Sequence, residues 1–595
     1  MSTEHDQDPS ESDDSEAPID TLTQASHCIA SLRLGRSGTV IGSVEDTNAF
    51  MDSLYVPGPI DALAKEFFDE ESPSGELLIL LGSAGDGKTA IFGHAFRASE
   101  AGWLDPELIN LDATESTSTT RTETEQLSQF LEQITEQLGE ADEPRRGLAI
   151  NLGLALDFFR TGENADRFEA IHTAIKEARN PQNFEEGCLY QSDEGITVAN
   201  LSHRRLFDTH PSTLGDGFLN DLVARFDHTN ASSPFASISE EIADAASTNP
   251  IAYNLHQLTN PEVRDSLVRL LAAKVIISNE YLNPRRVLNY ISKVLLPPSI
   301  IEELEDGTES KFESLTDAGV SAERLYLWNS VYDVLSKPGD ESSRLDPCTV
   351  FSLEFDEEIL AIQSDNRELD LEEDRHGFEL LSPESLTRTV IRMRHLRKNN
   401  EIDYKTEERS SPFTQFAAAR SVLDHLWHQQ VEDEELVDEA ADFMDETYGA
   451  VVSAIKRWSQ QSHEGDLVRI ADGRDSIEYQ FLAEWERESA TLDRKESMNR
   501  TTEETQLGKL WLSFENEVSI PLSYELYRLL SLINQGYNPD AVNPEESEGV
   551  RLLHSQLSQF TDKHDELQVR DYGDELIFKL QKKQGFNPGI EFIGS

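Results

Sequence analysis

An eight-residue run near the N-terminus constrains the fold of this chain more than any other feature. The run Gly82-Ser83-Ala84-Gly85-Asp86-Gly87-Lys88-Thr89 directly follows the apolar stretch from Leu77 to Leu81. It fits the pattern G-x-x-x-x-G-K-[ST], and its flanks predict a buried strand before it and an amphipathic helix after it. Backbone N–H groups and the positive end of the helix would meet at one point, which suits phosphate groups. The sequence therefore predicts a nucleoside triphosphate site.

Within this loop, Lys88 is expected to reach the β- and γ-phosphates of ATP, and the Thr89 hydroxyl is expected to hold Mg²⁺. The alternative is a glycine turn between strand and helix that binds nothing. Agreement between the motif and its flanks favours the nucleotide site.

Three further apolar runs predict strands at 108–111, 148–152 and 196–199, with helical patterns between them. Strands that alternate with helices indicate a parallel sheet covered on both faces. The predicted fold is therefore α/β: a P-loop NTPase parallel sheet with helices on both faces, followed by a mainly helical C-terminal half.

Composition shifts along the chain predict three regions. Residues 1–24 form a Ser/Asp/Glu-rich tail with few apolar residues, which is typical of disorder. Residues 25–300 are predicted to form a P-loop ATPase domain with a helical lid, and a turn at Asn283-Pro284 interrupts its last helical stretch. Residues 301–595 are predicted to be mainly helical, in two subdomains.

The charge balance indicates where such a chain works. There are 113 Asp and Glu residues against 51 Lys and Arg, and the formal net charge is −62. An acidic, lysine-poor surface is typical of proteins from cells with high internal salt, where screening weakens repulsion between carboxylates. No apolar run approaches the ~20 residues that span a bilayer, and the three scattered cysteines lack metal-ligand spacing. We expect a cytoplasmic, halophilic protein without a membrane segment.

Hydrolysis requires carboxylates that the sequence does not place clearly. Many P-loop ATPases have an apolar strand that ends in Asp, followed by a Glu that activates water. Here the strand at 148–152 contains Asn151 where an acid is expected, so we assign Asn151 to ligand binding. Asp112, as a metal ligand, and Glu115, as the water-activating base, follow the strand at 108–111. Asp157 is a weaker alternative, and a solvated surface acid is the simplest interpretation of each.

Two groups of cations could also contact phosphates. Arg285 and Arg286 follow Pro284 at a predicted helix start, where an arginine of a helical lid could contact the γ-phosphate or form surface ion pairs instead. A basic stripe, defined here as Arg388, Arg392, Arg394, Arg397 and Lys398, could contact a nucleic-acid backbone. It could equally neutralise the acidic segment 354–374.

Several segments together resemble one family, the DptF-type ATPase-like components of DNA phosphorothioation-dependent restriction systems. The resemblance is carried by the phosphate loop and by the segments 54–59, 112–116, 148–153, 520–530 and 536–539, in the same order. The chain departs from that family in having Thr89-Ala90 where a Ser-His pair is expected.

The resemblance implies an energy-coupling subunit that acts with other restriction-system subunits on foreign DNA, contacted directly or through those partners. Two functions from different classes follow. In the first, ATP hydrolysis drives rearrangement of a restriction complex. In the second, the chain is a nucleotide-gated scaffold or switch with little or no hydrolysis. A small-molecule kinase would leave the C-terminal half without a role.

Overall fold

The computed structural model describes the chain in blocks. In the first 400 residues these blocks are 19–33, 49–69, 75–98, 108–110, 123–140, 143–179, 188–305, 308–335, 345–349 and 380–397. Beyond residue 400 they are short stretches at 413–421, 449–458 and 550–555, together with the strands and the helix between residues 467 and 593. Within these blocks the single residues 20, 161, 211, 279, 414, 419 and 452 and residues 553–554 are not described. The predicted tail at 1–24 lies mostly outside these blocks.

Five strands form the sheet that carries the glycine-rich run 82–89: β1 Leu77–Gly82, β2 Ile109–Asn110, β3 Arg146–Asn151, β4 Leu189–Gln191 and β5 Ile196–Asn200. Their spatial order is β2-β3-β1-β5-β4. The pairs β1–β3, β1–β5 and β2–β3 are parallel, whereas β4 pairs antiparallel with β5. The predicted α/β class and all four predicted strands are confirmed, and β4 was not predicted.

Helices cover both faces of this sheet, as predicted. Side chains of Leu77, Ile79 and Leu81 pack toward helices α5 Glu123–Gln137, α6 Leu152–Phe159 and α8 Glu169–Glu177. Leu78 and Leu80 pack on the opposite face, toward α3 Pro59–Asp69 and α4 Lys88–Ala98. A strand buried on both faces needs a continuous apolar run, and the stretch from Leu77 to Leu81 supplies it.

Helix α7 Gly162–Arg167 contributes no buried residue and contacts α6 and α8. The other described helices of the first 400 residues form a second, larger apolar cluster beside the sheet. They are α1 Leu22–Ser31, α2 Ala49–Leu54, α9 Phe218–Ala224, α10 Ser239–Ala245, α11 Pro250–Gln257, α12 Pro261–Ser278, α13 Pro284–Leu295, α14 Pro298–Glu305, α15 Phe312–Asp317, α16 Leu327–Leu335 and α17 Pro383–Arg397. This cluster contains buried residues from both sides of residue 300, including Leu295 and Val331. None of the described helices is long and apolar enough to cross a membrane.

Beyond residue 400 the structure contains helical stretches within 413–421, 449–458 and 550–555 and helix α18 Tyr524–Asn534, as the prediction of helix in this half expects, together with strands that were not predicted. Strands β6 Leu467–Asp472, β7 Tyr479–Glu484, β10 Glu566–Asp571, β11 Leu576–Lys583 and β12 Gly589–Ile593 form an antiparallel sheet, and β8 Leu510–Phe514 pairs with β9 Val518–Leu522. Strand β7 pairs with β10, more than eighty residues later, whereas the other pairs, β6–β7, β8–β9, β10–β11 and β11–β12, join consecutive strands. Local patterns carry little information about the distant β7–β10 pairing, which joins the two parts of the five-stranded sheet.

Candidate functional site

The glycine-rich run forms a strand–loop–helix unit. Strand β1 ends at Gly82 and helix α4 begins at Lys88. Gly85 and Gly87 have φ of 93° and 92°, a region that side chains with a Cβ rarely adopt. A Cβ on Gly85 would also lie 2.8 Å from Cβ of Arg285, whereas one on Gly87 would meet nothing within 4 Å. The loop is thus closely packed at Gly85 and open at Gly87.

The Lys88 ammonium group spans the loop. Its Nζ donates to the carbonyl oxygens of Gly82 (3.0 Å) and Ser83 (2.8 Å) and to Oδ1 of Asn151 (2.7 Å). Asn151 ends strand β3, beside Gly82 in the register of the sheet, which explains why the two side chains meet. The structure therefore joins the predicted lysine and the predicted amide in one hydrogen-bonded group.

Asp86 is a buried carboxylate inside the loop, and only 1% of its surface is exposed. Its Oδ2 accepts from the backbone N–H of Ser83 at 2.6 Å, and its Oδ1 accepts from the Tyr281 hydroxyl at 2.6 Å. Burial raises the pKa of the Asp86 carboxyl group above its ordinary value, although the Tyr281 hydrogen bond and the nearby Lys88 charge oppose this. The carboxylate holds the loop rather than facing the cavity as a free acid.

The segment 281–286 docks on the loop. Asn283 donates from Nδ2 to the carbonyl oxygen of Ala84 at 3.0 Å and also caps helix α13 by accepting from the N–H of Arg286. The N–H of Arg285 approaches the carbonyl oxygen of Gly85 at 3.4 Å. The Arg286 guanidinium instead donates to the carbonyl oxygen of Tyr281 at 2.6 Å. The predicted helix start is confirmed, and of the two arginines it is Arg285 that lies at the loop.

A cavity of about 310 Å³ opens at this loop. Its polar lining comprises loop residues 84–89 together with Asn151, Arg204 and Arg285. Its apolar lining includes Leu32, Met51, Leu54, Tyr55, Val56, Phe218, Leu222 and Leu288, and Asp52 and His94 also line it. Thr89 lines the cavity, as its predicted role requires.

The predicted acids lie elsewhere or outside the described residues. Asp112 and Glu115 fall in the undescribed segment 111–122. Asp157 is exposed on α6 and forms an ion pair with Arg160 at 3.4 Å, so the simple surface interpretation holds for it. Among the residues that the structure describes, no group of three His, Cys, Asp or Glu side chains is arranged to hold a metal ion. Thr89 is thus the described member of the predicted Mg²⁺ pair.

Several residues at the site were not predicted as site residues, among them Asn283, Arg204 and Tyr281. Arg204 follows strand β5 by four positions and donates from Nη2 to the carbonyl oxygen of Asp86 at 3.1 Å. Tyr281 precedes the Asn283-Pro284 turn and binds the Asp86 side chain. The position of Arg204 just past the carboxyl end of a parallel strand was an available signal, because ligands of such sheets bind at that edge. No local signal pointed to Tyr281.

The basic stripe does not form an exposed cationic surface. Arg392 is 7% exposed and binds Asp346 through two hydrogen bonds of 3.2 and 2.5 Å. Arg388 pairs with Glu323 at 2.9 Å, and Arg397 donates to Gln257 at 2.9 Å. Arg394 is half-buried, while Lys398 and the acidic segment 354–374 lie outside the described residues. Arg392 is therefore an internal counter-charge, to Asp346 and not to the expected segment 354–374, and its interpretation as a DNA contact was wrong. Arg388 and Arg397 also have partners within the protein, but a nucleic-acid contact by these two residues stays a prediction.

Comparison with known proteins found no match to this chain among family models, curated proteins or solved structures. Inferences about function therefore depend on the residues and geometry described above.

Proposed function

We propose that this chain binds ATP with Mg²⁺ at the loop 82–89 and serves as the ATP-binding, ATP-hydrolysing subunit of a DNA phosphorothioation-dependent restriction complex. One observation carries the nucleotide part of the proposal. A glycine loop between a buried parallel strand and a helix places Lys88 at the first helical position, in the lining of a cavity of about 310 Å³. That volume lies at the lower end of the range for ligand pockets.

The polar groups of the cavity lining suit a triphosphate. The first N–H groups of a helix have no partner within that helix, and its N-terminus carries partial positive charge. Lys88 and Arg285 add two cations, and Arg204 adds a third at the same cavity. Lys88 would exchange its present carbonyl partners for phosphate oxygens, which form stronger, charge-assisted hydrogen bonds. Thr89 and Asp112 would hold Mg²⁺, which neutralises charge on the phosphates when bound.

The restriction role depends on the resemblance of the sequence segments to the DptF-type family. In this proposal the chain acts with other subunits of the system on unmodified DNA, contacted through those partners. The partners that Arg388, Arg392 and Arg397 have within the protein support contact through other subunits over contact by this helix.

The nucleotide site is tested by Lys88→Ala, with Lys65→Ala as the matched control. Lys65 is a half-exposed lysine on α3, in an ion pair with Asp69. Calorimetric titration with ATP in concentrated KCl should show at least roughly tenfold weaker binding for Lys88→Ala, which corresponds to about 1.4 kcal/mol. The Lys65 variant should bind as the parent does. Equal ATP affinity in a Lys88→Ala protein with an unchanged circular dichroism spectrum would remove the proposal.

A second candidate function is a nucleotide-gated scaffold or switch with little hydrolysis. Asn151 supports it, since an amide contacts Lys88 where an acid would orient water. The carboxylates among the described cavity residues, Asp52 and Asp86, both have partners.

Phosphate release with and without unmodified DNA separates the two functions. The ATPase function requires turnover that Glu115→Gln lowers, since loss of a general base costs ~10²–10⁴-fold in rate. The scaffold function requires ATP binding with no turnover above that of Lys88→Ala.

A further inference from the structure

The phosphate loop contains a negative charge of its own. Asp86 precedes Lys88 by two positions, and its side chain is shielded from water because only 1% of its surface is exposed. The carboxylate packs against the start of the loop, where a Cβ on Gly82 would lie 2.5 Å from Asp86 Oδ2. The acid is therefore built into the loop, and phosphates that bind there would meet its charge.

The charged and titratable groups that face Asp86 come from several elements. Helix α4 supplies Lys88, the residues after β5 supply Arg204, and the segment before α13 supplies Tyr281. Arg204 donates to the carbonyl oxygen of Asp86 at 3.1 Å, and its charge also acts on the Asp61 carboxylate of α3. Two cations thus balance Asp86, and one of them is shared with a second acid.

The phosphates of ATP would draw on the same two cations. Lys88 and Arg204 both line the cavity at the loop. In the proposed site Lys88 turns to phosphate oxygens, which themselves place further negative charge beside Asp86. A like charge nearby disfavours the ionised form of an acid, and so does competition for its cations. Mg²⁺ offsets this only in part, because a triphosphate carries more negative charge than one Mg²⁺ ion supplies.

The hydrogen bonds of Asp86 suit both of its protonation states. Oδ2 accepts from the Ser83 N–H at 2.6 Å, and Oδ1 meets the Tyr281 hydroxyl at 2.6 Å. A hydroxyl group can donate or accept, so Tyr281 can donate to the carboxylate or accept from a protonated Oδ1. In the second case its own hydrogen can turn toward the Ser202 hydroxyl, which also faces it. A proton on Oδ1 therefore leaves neither oxygen without a partner.

We propose that ATP binding at the loop is linked to proton uptake, with the proton passing from solvent to Oδ1 of Asp86. The inference depends on the proposed function, because phosphates must occupy the loop to act on this acid. Protonated Asp86 no longer repels the phosphates, so ATP binding tightens as the pH falls. Burial already raises the pKa of Asp86 in the chain without ligand, in the direction that this link requires.

The first test counts protons by calorimetry. The full chain in concentrated KCl is titrated with ATP and Mg²⁺ at about pH 6, in two buffers of different ionisation enthalpy. The difference between the two binding enthalpies gives the protons taken up per ATP. The unmodified chain should take up more protons than Asp86→Asn, whose amide stays neutral. Protons that ATP itself releases are common to both chains and cancel in this comparison.

Two control variants should keep the proton uptake of the unmodified chain. Asp157→Asn makes the same chemical change at an exposed acid on α6. His94→Gln removes a histidine of the cavity lining, whose pKa is lowered by burial and by the Arg97 charge. Loss of uptake in His94→Gln together with its retention in Asp86→Asn would assign the proton to the histidine and overturn the proposal.

The second test measures ATP affinity between about pH 5 and pH 8. The ratio of the association constant of the unmodified chain to that of Asp86→Asn should fall at least roughly tenfold as the pH rises. Tyr281→Phe removes a hydrogen bond that favours the ionised acid, so it should move the fall in affinity to higher pH. A purely structural role of Tyr281 would not move this profile, and the variant keeps the test decisive if Asp86→Asn does not fold.

The outcomes separate the proton link from the nucleotide site. Equal proton uptake by the unmodified chain and Asp86→Asn, or an unshifted pH profile in Tyr281→Phe, would overturn the link and leave the phosphate site intact. Failure of ATP to bind the unmodified chain at any pH in this range would overturn the proposed function itself.

Discussion

Asp86 is an unusual group to find in a loop that is proposed to bind phosphates, because its negative charge opposes theirs. The structure compensates for it with two short hydrogen bonds, from Tyr281 and from the Ser83 N–H, and with the nearby charges of Lys88 and Arg204. The carboxylate thereby links Ser83, at the start of the loop, to the segment before helix α13. We interpret Asp86 as the residue that maintains the shape of the loop.

Replacement of Tyr281 by Phe tests this interpretation at the scale of one hydrogen bond. Hydrogen bonds to charged groups contribute about 1.5–3 kcal/mol, so Tyr281→Phe should lower the free energy of unfolding by that amount. Tyr290→Phe is the control, because Tyr290 is similarly buried and its hydroxyl has no hydrogen-bond partner among the described residues. Urea denaturation in concentrated KCl measures both variants. Equal losses would show that the Tyr281 hydroxyl contributes nothing specific.

The Asp86 carboxyl group should also make stability depend on pH. Burial raises the pKa of this acid in the folded chain above its value of 3.8 in the unfolded chain. Its contribution is therefore fully present below the unfolded pKa and is lost as the pH rises through the folded pKa. The difference in unfolding free energy between the parent and Asp86→Asn should fall with rising pH over that interval, by about 1.4 kcal/mol per unit of pKa shift. A difference that is constant with pH would contradict the raised pKa.

At the scale of elements, helix α17 shows that packing can bury and pair arginines that the sequence pattern alone suggests are available to a ligand. Its arginines lie among Val390, Ile391, Met393 and Leu396, all at most 4% exposed, so much of the helix surface is buried. Arg392 meets Asp346, beside the helix, and its guanidinium lies 5.3 Å from the centroid of the Tyr332 ring on α16. Arg392 thus joins α17 to its neighbours and has an internal role.

Arg392→Gln should therefore destabilise the chain by about 3–5 kcal/mol, because it leaves the Asp346 carboxylate buried without its partner. Arg388→Gln on the same helix provides the matched control. Arg388 is 42% exposed in its side chain, and loss of its ion pair with Glu323 should cost less than about 1 kcal/mol. Chemical denaturation of the two variants in the same buffer gives the comparison. Similar, small losses in both would show that burial of the Arg392 pair has no energetic consequence.

At the scale of the whole molecule, the charge of −62 opposes a compact state. The Debye length falls from ~10 Å at 0.1 M salt to ~3 Å at 1 M, so added salt screens repulsion between carboxylates that are not in contact. We expect the melting temperature to rise with KCl concentration over this range. Sucrose is the control, since it stabilises compact states by exclusion without screening charge. A melting temperature that does not change with KCl would refute adaptation to high salt.

Features that depend on neighbouring residues could be predicted from the sequence. The apolar run from Leu77 to Leu81 predicts a strand buried on both faces, and the glycine run predicts a loop followed by a helix. The structure starts that helix, α4, at Lys88, one residue before the end of the run. Pro284 predicts the start of α13, because its fixed φ suits the first helical turn. The parallel sheet follows from strands and helices that alternate in short succession.

Only the tertiary structure decided which distant groups meet. Tyr281 reaches Asp86 across 195 positions, and Arg392 reaches Asp346 across 46. Asn151 contacts Lys88 because β3 lies beside β1 in the sheet, and β7 pairs with β10, more than eighty residues away. The physical reason is common to all of them. Burial and pairing energies arise between surfaces that only the folded chain brings together, whereas a pattern of adjacent residues records only local preference.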